Sequence, residues 1–121
     1  MKKLAFILSF CFCLNAIAQK PASFPTALQL TPEKSNFEKT SSYADVMQFL
    51  NTIKTMSPYI HVGTIGKSTQ RKDIPYAVLA NPAISNPEQA KQSGKPVVYI
   101  QGNIHGGEVE GKEVSMMLMR D

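Results

Sequence analysis

The chain has 121 residues, 43% of them hydrophobic and 18% charged, with 8 Pro, 7 Gly and 2 Cys. That length holds one ordinary domain at most, and the composition excludes a repeat array, a disulfide-stapled miniprotein and a wholly disordered tail. The net charge of +4 includes Lys2 and Lys3; the rest of the chain carries an excess of only two and no basic cluster, so there is no electrostatic case for nucleic acid or an anionic membrane surface.

Met1 to Ala18 follow the plan of an export signal. Lys2 and Lys3 form a basic start, Leu4 to Leu14 an apolar run, and Ala16-Ile17-Ala18 offers small residues where a signal peptidase reads. The run is shorter than the ~20 residues that span a bilayer, so it predicts a cleaved leader and no stable membrane anchor. Phe10 and Phe12 precede Cys11 and Cys13 where an acylated cysteine would need a small neighbour, which argues against a lipoprotein. Both thiols then leave with the leader. The exported product, periplasmic or extracellular, starts near Gln19 with neither disulfide nor thiolate ligand.

Residues 19–41 contain Pro21, Pro25 and Pro32 and no sustained period, which predicts an extended arm. Ser42, with Asp45 three residues on, predicts a capping box at the start of a helix. Tyr43, Val46, Met47, Leu50, Ile53 and Met56 follow at helical spacing, so the helix runs from Ser42 to Met56 and stops before Pro58. Its Met and aromatic stripe is core packing. Two strands come next, Tyr59–Ile65 and Ile74–Ala80, joined by the polar stretch Gly66–Asp73 in a hairpin-like connection. Asn81–Pro96 is a polar connection in which Asn86-Pro87 starts a short helical turn. Pro96–Gln101 has the composition of a strand buried on both faces. Gly102–Gly107 breaks it, and Glu108–Arg120 returns to helix, ending in Met116-Met117-Leu118-Met119, a run that needs cover.

These elements predict an α/β domain with parts missing, since a doubly covered strand needs more neighbours than three strands and two helices supply. The sequence stops at Asp121, inside or at the end of a helix that needs partners, and the expectation is the front piece of a longer enzyme. A phosphate-binding loop is excluded. Gly66-Lys67-Ser68-Thr69 resembles the end of one, but His61 stands where its first glycine belongs, and a polar turn follows rather than a helix. His61 has no acidic or cysteine neighbour and reads as a structural or surface histidine.

The chemistry is concentrated in Tyr99-Ile100-Gln101-Gly102-Asn103-Ile104-His105-Gly106-Gly107-Glu108. His105 and Glu108 stand three apart between an apolar strand and a helix, where a turn can aim imidazole and carboxylate at one point, and Gly106 and Gly107 between them allow backbone angles and close approaches that a side chain would obstruct. Imidazole nitrogen plus carboxylate oxygen suits zinc, and the place is the carboxyl end of a strand, where open α/β sheets bind ligands. The competing reading is a loop histidine beside a helix N-terminal glutamate that stabilises the helix dipole. Spacing by itself favours the second; the strand, the paired glycines and the helix bring the metal reading level with it.

The segment Gly102-Asn103-Ile104-His105-Gly106-Gly107-Glu108, after Val97-Val98-Tyr99-Ile100, resembles the first metal-ligand motif of the zinc carboxypeptidases, the carboxypeptidase A-like metallopeptidases. Upstream, Ser42-Tyr43, Phe49-Leu50, Ile65-Gly66-Lys67-Ser68 and Asp73-Ile74-Pro75 look like the opening helix and first hairpin of that family. The resemblance covers Ser42 to Asp121, the N-terminal part of the catalytic domain. It implies an α/β/α sandwich with a mixed, mostly eight-stranded sheet, one zinc ion per catalytic domain, and a peptide or protein substrate cut at its C-terminal bond. It makes His105 and Glu108 the first two zinc ligands. The third ligand, the general-base glutamate and the substrate-binding arginines of relatives have no matching positions here and are expected beyond Asp121, so no catalytic residue is assigned within the 121 residues, which are expected to be inactive alone. Glu110, Lys112 and Glu113 are expected to be solvated helix residues.

Two positions depart from the family pattern. Gly107 stands where many members have an arginine beside the ligand glutamate, and Arg71 stands in the hairpin where a glycine is common and where positive φ would strain it. Two other functions are compatible with the residues: an aspartoacylase-like zinc amidohydrolase, whose loop has a similar His-Gly-x-Glu pattern, and an exported binding domain that has lost catalysis. The oligomeric state has no signature in the sequence.

Overall fold

The computed structural model describes residues 24–121, so the expected leader and residues 19–23 lie outside the described residues. The expected arm is not extended over its described part. It contains a 3-10 turn, Thr26–Leu28, and a short helix α1, Thr31–Lys34. Prolines start both: Pro25 precedes the first, and Pro32 occupies the first turn of α1, where its missing N–H costs nothing. The Leu30 N–H donates to Glu33 Oε2 at 2.8 Å and so closes the start of α1. Neither turn is long enough to display a period, but each seats a leucine, Leu28 and Leu30, in the core.

Helix α2 spans Tyr43–Met56. Its cap is the expected box: the Asp45 N–H donates to Ser42 Oγ at 3.2 Å, and the Ser42 N–H and hydroxyl both donate to Asp45 Oδ2 at 2.8 Å. Phe49, Leu50 and Ile53 form its buried face, with Val46 against the edge of the core, while Tyr43 and Met56 stand outside.

Strands β1 (Ile60–Lys67) and β2 (Asp73–Leu79) pair antiparallel, from Ile60 opposite Leu79 to Lys67 opposite Asp73. A bulge between Thr64 and Gly66 inserts Ile65 and turns it to solvent. The hairpin closes over Ser68–Lys72, where the Ser68 N–H donates to the Lys72 carbonyl and the Arg71 N–H to the Ser68 carbonyl, both at 2.8 Å. The near-match to a phosphate loop is therefore a strand end and a tight turn. His61 faces Val78 across the ladder, with its ring 6.0 Å from that of Tyr76, and among the described residues it belongs to no group of three or more metal-binding side chains.

Helix α3, Pro87–Ser93, is capped by Asn86, whose side chain accepts from the Gln89 N–H at 2.9 Å. Helix α4, Glu110–Arg120, starts two residues later than the pattern predicts and is closed by Asp121, whose N–H donates to the Met117 carbonyl at 3.0 Å. Only one face of its apolar end is covered: Met116 is buried and Met117 and Met119 are partly covered, but Leu118 and Val114 are exposed.

The core is Leu28, Leu30, Phe49, Leu50, Ile53 and Met116, where α2 meets the N-terminal turns, β1 and α4. The sheet has two strands among the described residues. Pro96–Gln101 is not a strand here, and Val97, Val98 and Tyr99 are about four-fifths exposed, at 79%, 80% and 78%. Its composition suits a strand, but strand structure requires a partner's ladder of hydrogen bonds, and 96–101 forms none with β1 or β2. Among the described residues no helix is long and apolar enough to cross a membrane.

Candidate metal centre

The loop between residue 101 and α4 brings His105 and Glu108 together. Its middle is a turn in which the Glu108 N–H donates to the His105 carbonyl at 3.1 Å. This folds the carboxylate back over the imidazole, with His105 Nδ1 2.6 Å from Glu108 Oε1. The His105 N–H adds a long bond of 3.4 Å to Glu108 Oε2. The His105 ring, first of these, and then its backbone N–H hold the Glu108 carboxyl below the usual range. The carboxylate is therefore ionised at neutral pH. Both side chains are open to solvent, so a ligand can reach them without any movement of the core.

This arrangement offers a cation two donors. A nitrogen and an anionic oxygen point at one place, now bridged by a proton, and a divalent ion replacing that proton would find one imidazole and one carboxylate donor. Two donors make half of a tetrahedral set. Among the described residues no group of three or more His, Cys, Asp or Glu side chains comes together. Asp121 in particular adds nothing to the pair. It stands at the opposite end of α4 from the loop, exposed, with its Oδ1 accepting from Arg120 Nε at 3.3 Å.

The role expected of the paired glycines falls elsewhere. Gly106 and Gly107 do not have positive φ, and a Cβ on either would meet nothing within 4 Å. The close approach is between Gly102 and Gly111. A Cβ on Gly102 would stand 2.8 Å from the Gly111 carbonyl carbon, and one on Gly111 would stand 2.9 Å from the Gly102 Cα. The two ends of the His105 loop thus touch, backbone against backbone, and Asn103 beside the contact takes a left-handed φ of 59°.

Glu113 is not a solvated helix residue. It is buried, with 7% of its surface exposed. Its Oε1 accepts the Thr40 hydroxyl and the Ser41 N–H, both at 2.6 Å, and its Oε2 accepts the Ser41 hydroxyl at 2.8 Å. Lys112 is partly covered and lies 3.8 Å from the same carboxylate, while Glu110 is exposed as expected. At the far end of α4, Arg120 Nη1 donates to both Glu33 oxygens at 2.8 and 2.7 Å, and its guanidinium stacks 3.8 Å over the Phe24 ring. The sequence carried a sign of this. Glu113, Met116, Met117 and Arg120 share one face of a helix, so two charges lie along the stripe that packs inward.

The profile of the zinc carboxypeptidase family matches residues 46–121, from the first turn of α2 through α4. The chain belongs to the zinc carboxypeptidase family. No curated protein and no solved structure gives a match. The matched residues include the loop with His105 and Glu108, whereas Glu33, Thr40 and Ser41, the partners of α4, precede them. The zinc carboxypeptidase family is one of zinc metallopeptidases that act on peptides and proteins, and the small α/β unit described above is compatible with part of such a fold.

Proposed function

We propose that this protein is an exported zinc carboxypeptidase, that His105 and Glu108 are two of the protein ligands of its zinc, and that it hydrolyses C-terminal peptide bonds. The observation that carries the reading is the 2.6 Å approach of imidazole and carboxylate on an exposed loop inside the family-matched segment. The donor set fits the metal: one borderline nitrogen and one hard anionic oxygen, as in zinc sites that keep a position for water.

Zinc, when bound, acidifies a water and polarises the scissile carbonyl. His105 offers a ring nitrogen once the proton shared with Glu108 is given up, and Glu108 offers an oxygen already ionised. Gly107 puts no cationic side chain beside the pair, so recognition of the substrate's terminal carboxylate falls to other residues, and preference differs from that of relatives with arginine there. With two donors converging among the described residues, the third ligand, the base glutamate and the carboxylate-binding arginines come from polypeptide beyond Asp121, and this piece is inactive alone. In the whole domain the β1–β2 hairpin and the stretch 96–101 join a mixed, mostly eight-stranded sheet, which covers Val97–Ile100. Residues 1–18 direct the product to the periplasm or the medium.

The test is zinc content and peptidase activity of the product of the full coding sequence. One zinc per chain and release of C-terminal residues are expected, both lost in His105→Ala and in Glu108→Ala, while the 121-residue polypeptide shows no turnover. A metal-free product, or one whose activity survives both substitutions, overturns the reading.

A further inference from the structure

The loop that carries His105 and Glu108 is exposed from residue 102 to residue 108, and a Cβ at its centre would touch nothing, so it is held from its ends. Those ends meet at Gly102 and Gly111, backbone to backbone. Gly111 lies in the first turn of α4, and two residues further on the buried Glu113 carboxylate is gripped by Thr40 and Ser41. These two residues run directly into Ser42, the cap of α2, the helix that supplies Phe49, Leu50 and Ile53 to the core. A continuous line of contacts thus joins the core to the loop, and Glu113 is its only side-chain link between α4 and the α2 cap among the hydrogen bonds of the described residues.

We propose that Glu113, held by Thr40 and Ser41, is a positioning residue for the His105–Glu108 pair: it fixes the first turn of α4 against the cap of α2 and thereby sets where the Glu108 carboxylate stands. This rests on the reading of the pair as zinc ligands. The site then depends on residues 40 and 41, which lie ahead of the family-matched segment. A carboxylate suits the place because its two oxygens accept all three bonds, from two hydroxyls and an N–H, and its charge strengthens each. An amide can keep the two bonds at one oxygen but must reverse the third, donating to the Ser41 hydroxyl, and it loses the charge that strengthens all three.

The experiment titrates the metal-stripped product of the full coding sequence with zinc sulfate, following the His105 ring signals and the order of amides 103–109 by NMR beside a thermal melt. In the unaltered chain, zinc uptake that disappears in His105→Ala is expected. Glu113→Gln weakens that uptake on the order of tenfold, the lower end of the cost of losing a partner that orients a metal ligand, and loosens amides 103–109. Ile53→Val, which thins the core without touching Glu113, lowers the melting temperature yet keeps the affinity. Should Glu113→Gln fail to fold, Thr40→Val is expected to weaken zinc uptake and Thr40→Ser to retain it. A folded Glu113→Gln with unchanged zinc affinity overturns the proposal, as does equal loss of affinity in Ile53→Val. Absence of His105-dependent uptake in the unaltered chain overturns the zinc reading itself, and the proposal with it.

Discussion

Arg71 closes the β1–β2 hairpin at φ 61°, a left-handed conformation that crowds its Cβ. The family's habit of placing glycine there made this strain legible in the sequence. Left-handed backbone costs a residue with a Cβ roughly 1–2 kcal/mol, offset in part by the extra freedom glycine has when unfolded. Arg71→Gly is therefore expected to raise stability by up to about 1 kcal/mol, read as a higher urea midpoint at unchanged slope. Gly111 shows the opposite case. Alanine normally improves a helix interior, but here the added methyl meets the Gly102 backbone at 2.9 Å. Gly111→Ala is expected to cost roughly 1–3 kcal/mol, the usual penalty of overpacking, visible as a lower melting temperature. The sequence displayed Gly102, Gly106, Gly107 and Gly111 alike. Which of them another chain segment approaches is a matter of tertiary contact, and reading the adjacent pair as the close approach was wrong for that reason.

Among the elements, local chemistry was a good guide where the element is closed by its own residues. The box at Ser42 and Asp45 formed as spaced, and the Ser42 N–H, then its hydroxyl, hold the Asp45 carboxyl below its usual range. Ser42→Ala is expected to cost about 1 kcal/mol, measurable as loss of helical circular dichroism on heating. Asn86 likewise started α3 where Asn-Pro predicted a turn, and the turn grew to seven residues because Glu88, Ala90 and Lys91 continue a helix readily. The apolar stretch 96–101 behaved differently. Valine, tyrosine and isoleucine make it strand-like, but a strand is completed by another strand, and no residue within 96–101 can act as its own partner. Helix α4 lies between these cases: its period was plain, while the inward place of Glu113 depended on what packed against it.

Across the fold, α4 is tied to the segment ahead of α2 at both ends, by Glu113 to Thr40 and Ser41 beside the α2 cap and by Arg120 to Glu33 of α1. Burial raises the Glu33 carboxyl, but the Leu30 N–H and the Arg120 guanidinium outweigh it and leave it below the ordinary 4.5. Folding thus favours the ionised form. The stabilisation is complete above about pH 4.5, where the unfolded chain is also ionised, and is lost as the pH falls through the lower folded value. Acid titration of the melting temperature is expected to show this decline, and Glu33→Gln to flatten it while lowering stability near neutral pH by about 2 kcal/mol, the scale of a hydrogen-bonded charge. Residues 24–41 had looked like an arm because proline breaks their period into turns too short to register. They are part of the core through Leu28 and Leu30.

Residue order was enough to specify the elements that close within a few residues: the capped α2, the hairpin, the start of α3, and the His-Gly-Gly-Glu turn that sets an imidazole beside a carboxylate. Each is started by contacts three or four residues apart along the chain: Ser42 with Asp45, Ser68 with Lys72, Asn86 with Gln89, His105 with Glu108. Long-range packing settled the rest: which glycines touch, that the N-terminal turns belong to the core, and that Glu113 and Arg120 face inward while Asp121 beside them stays in solvent. Those inward contacts join residues more than seventy positions apart, and no local spacing encodes which distant donor will meet a buried charge.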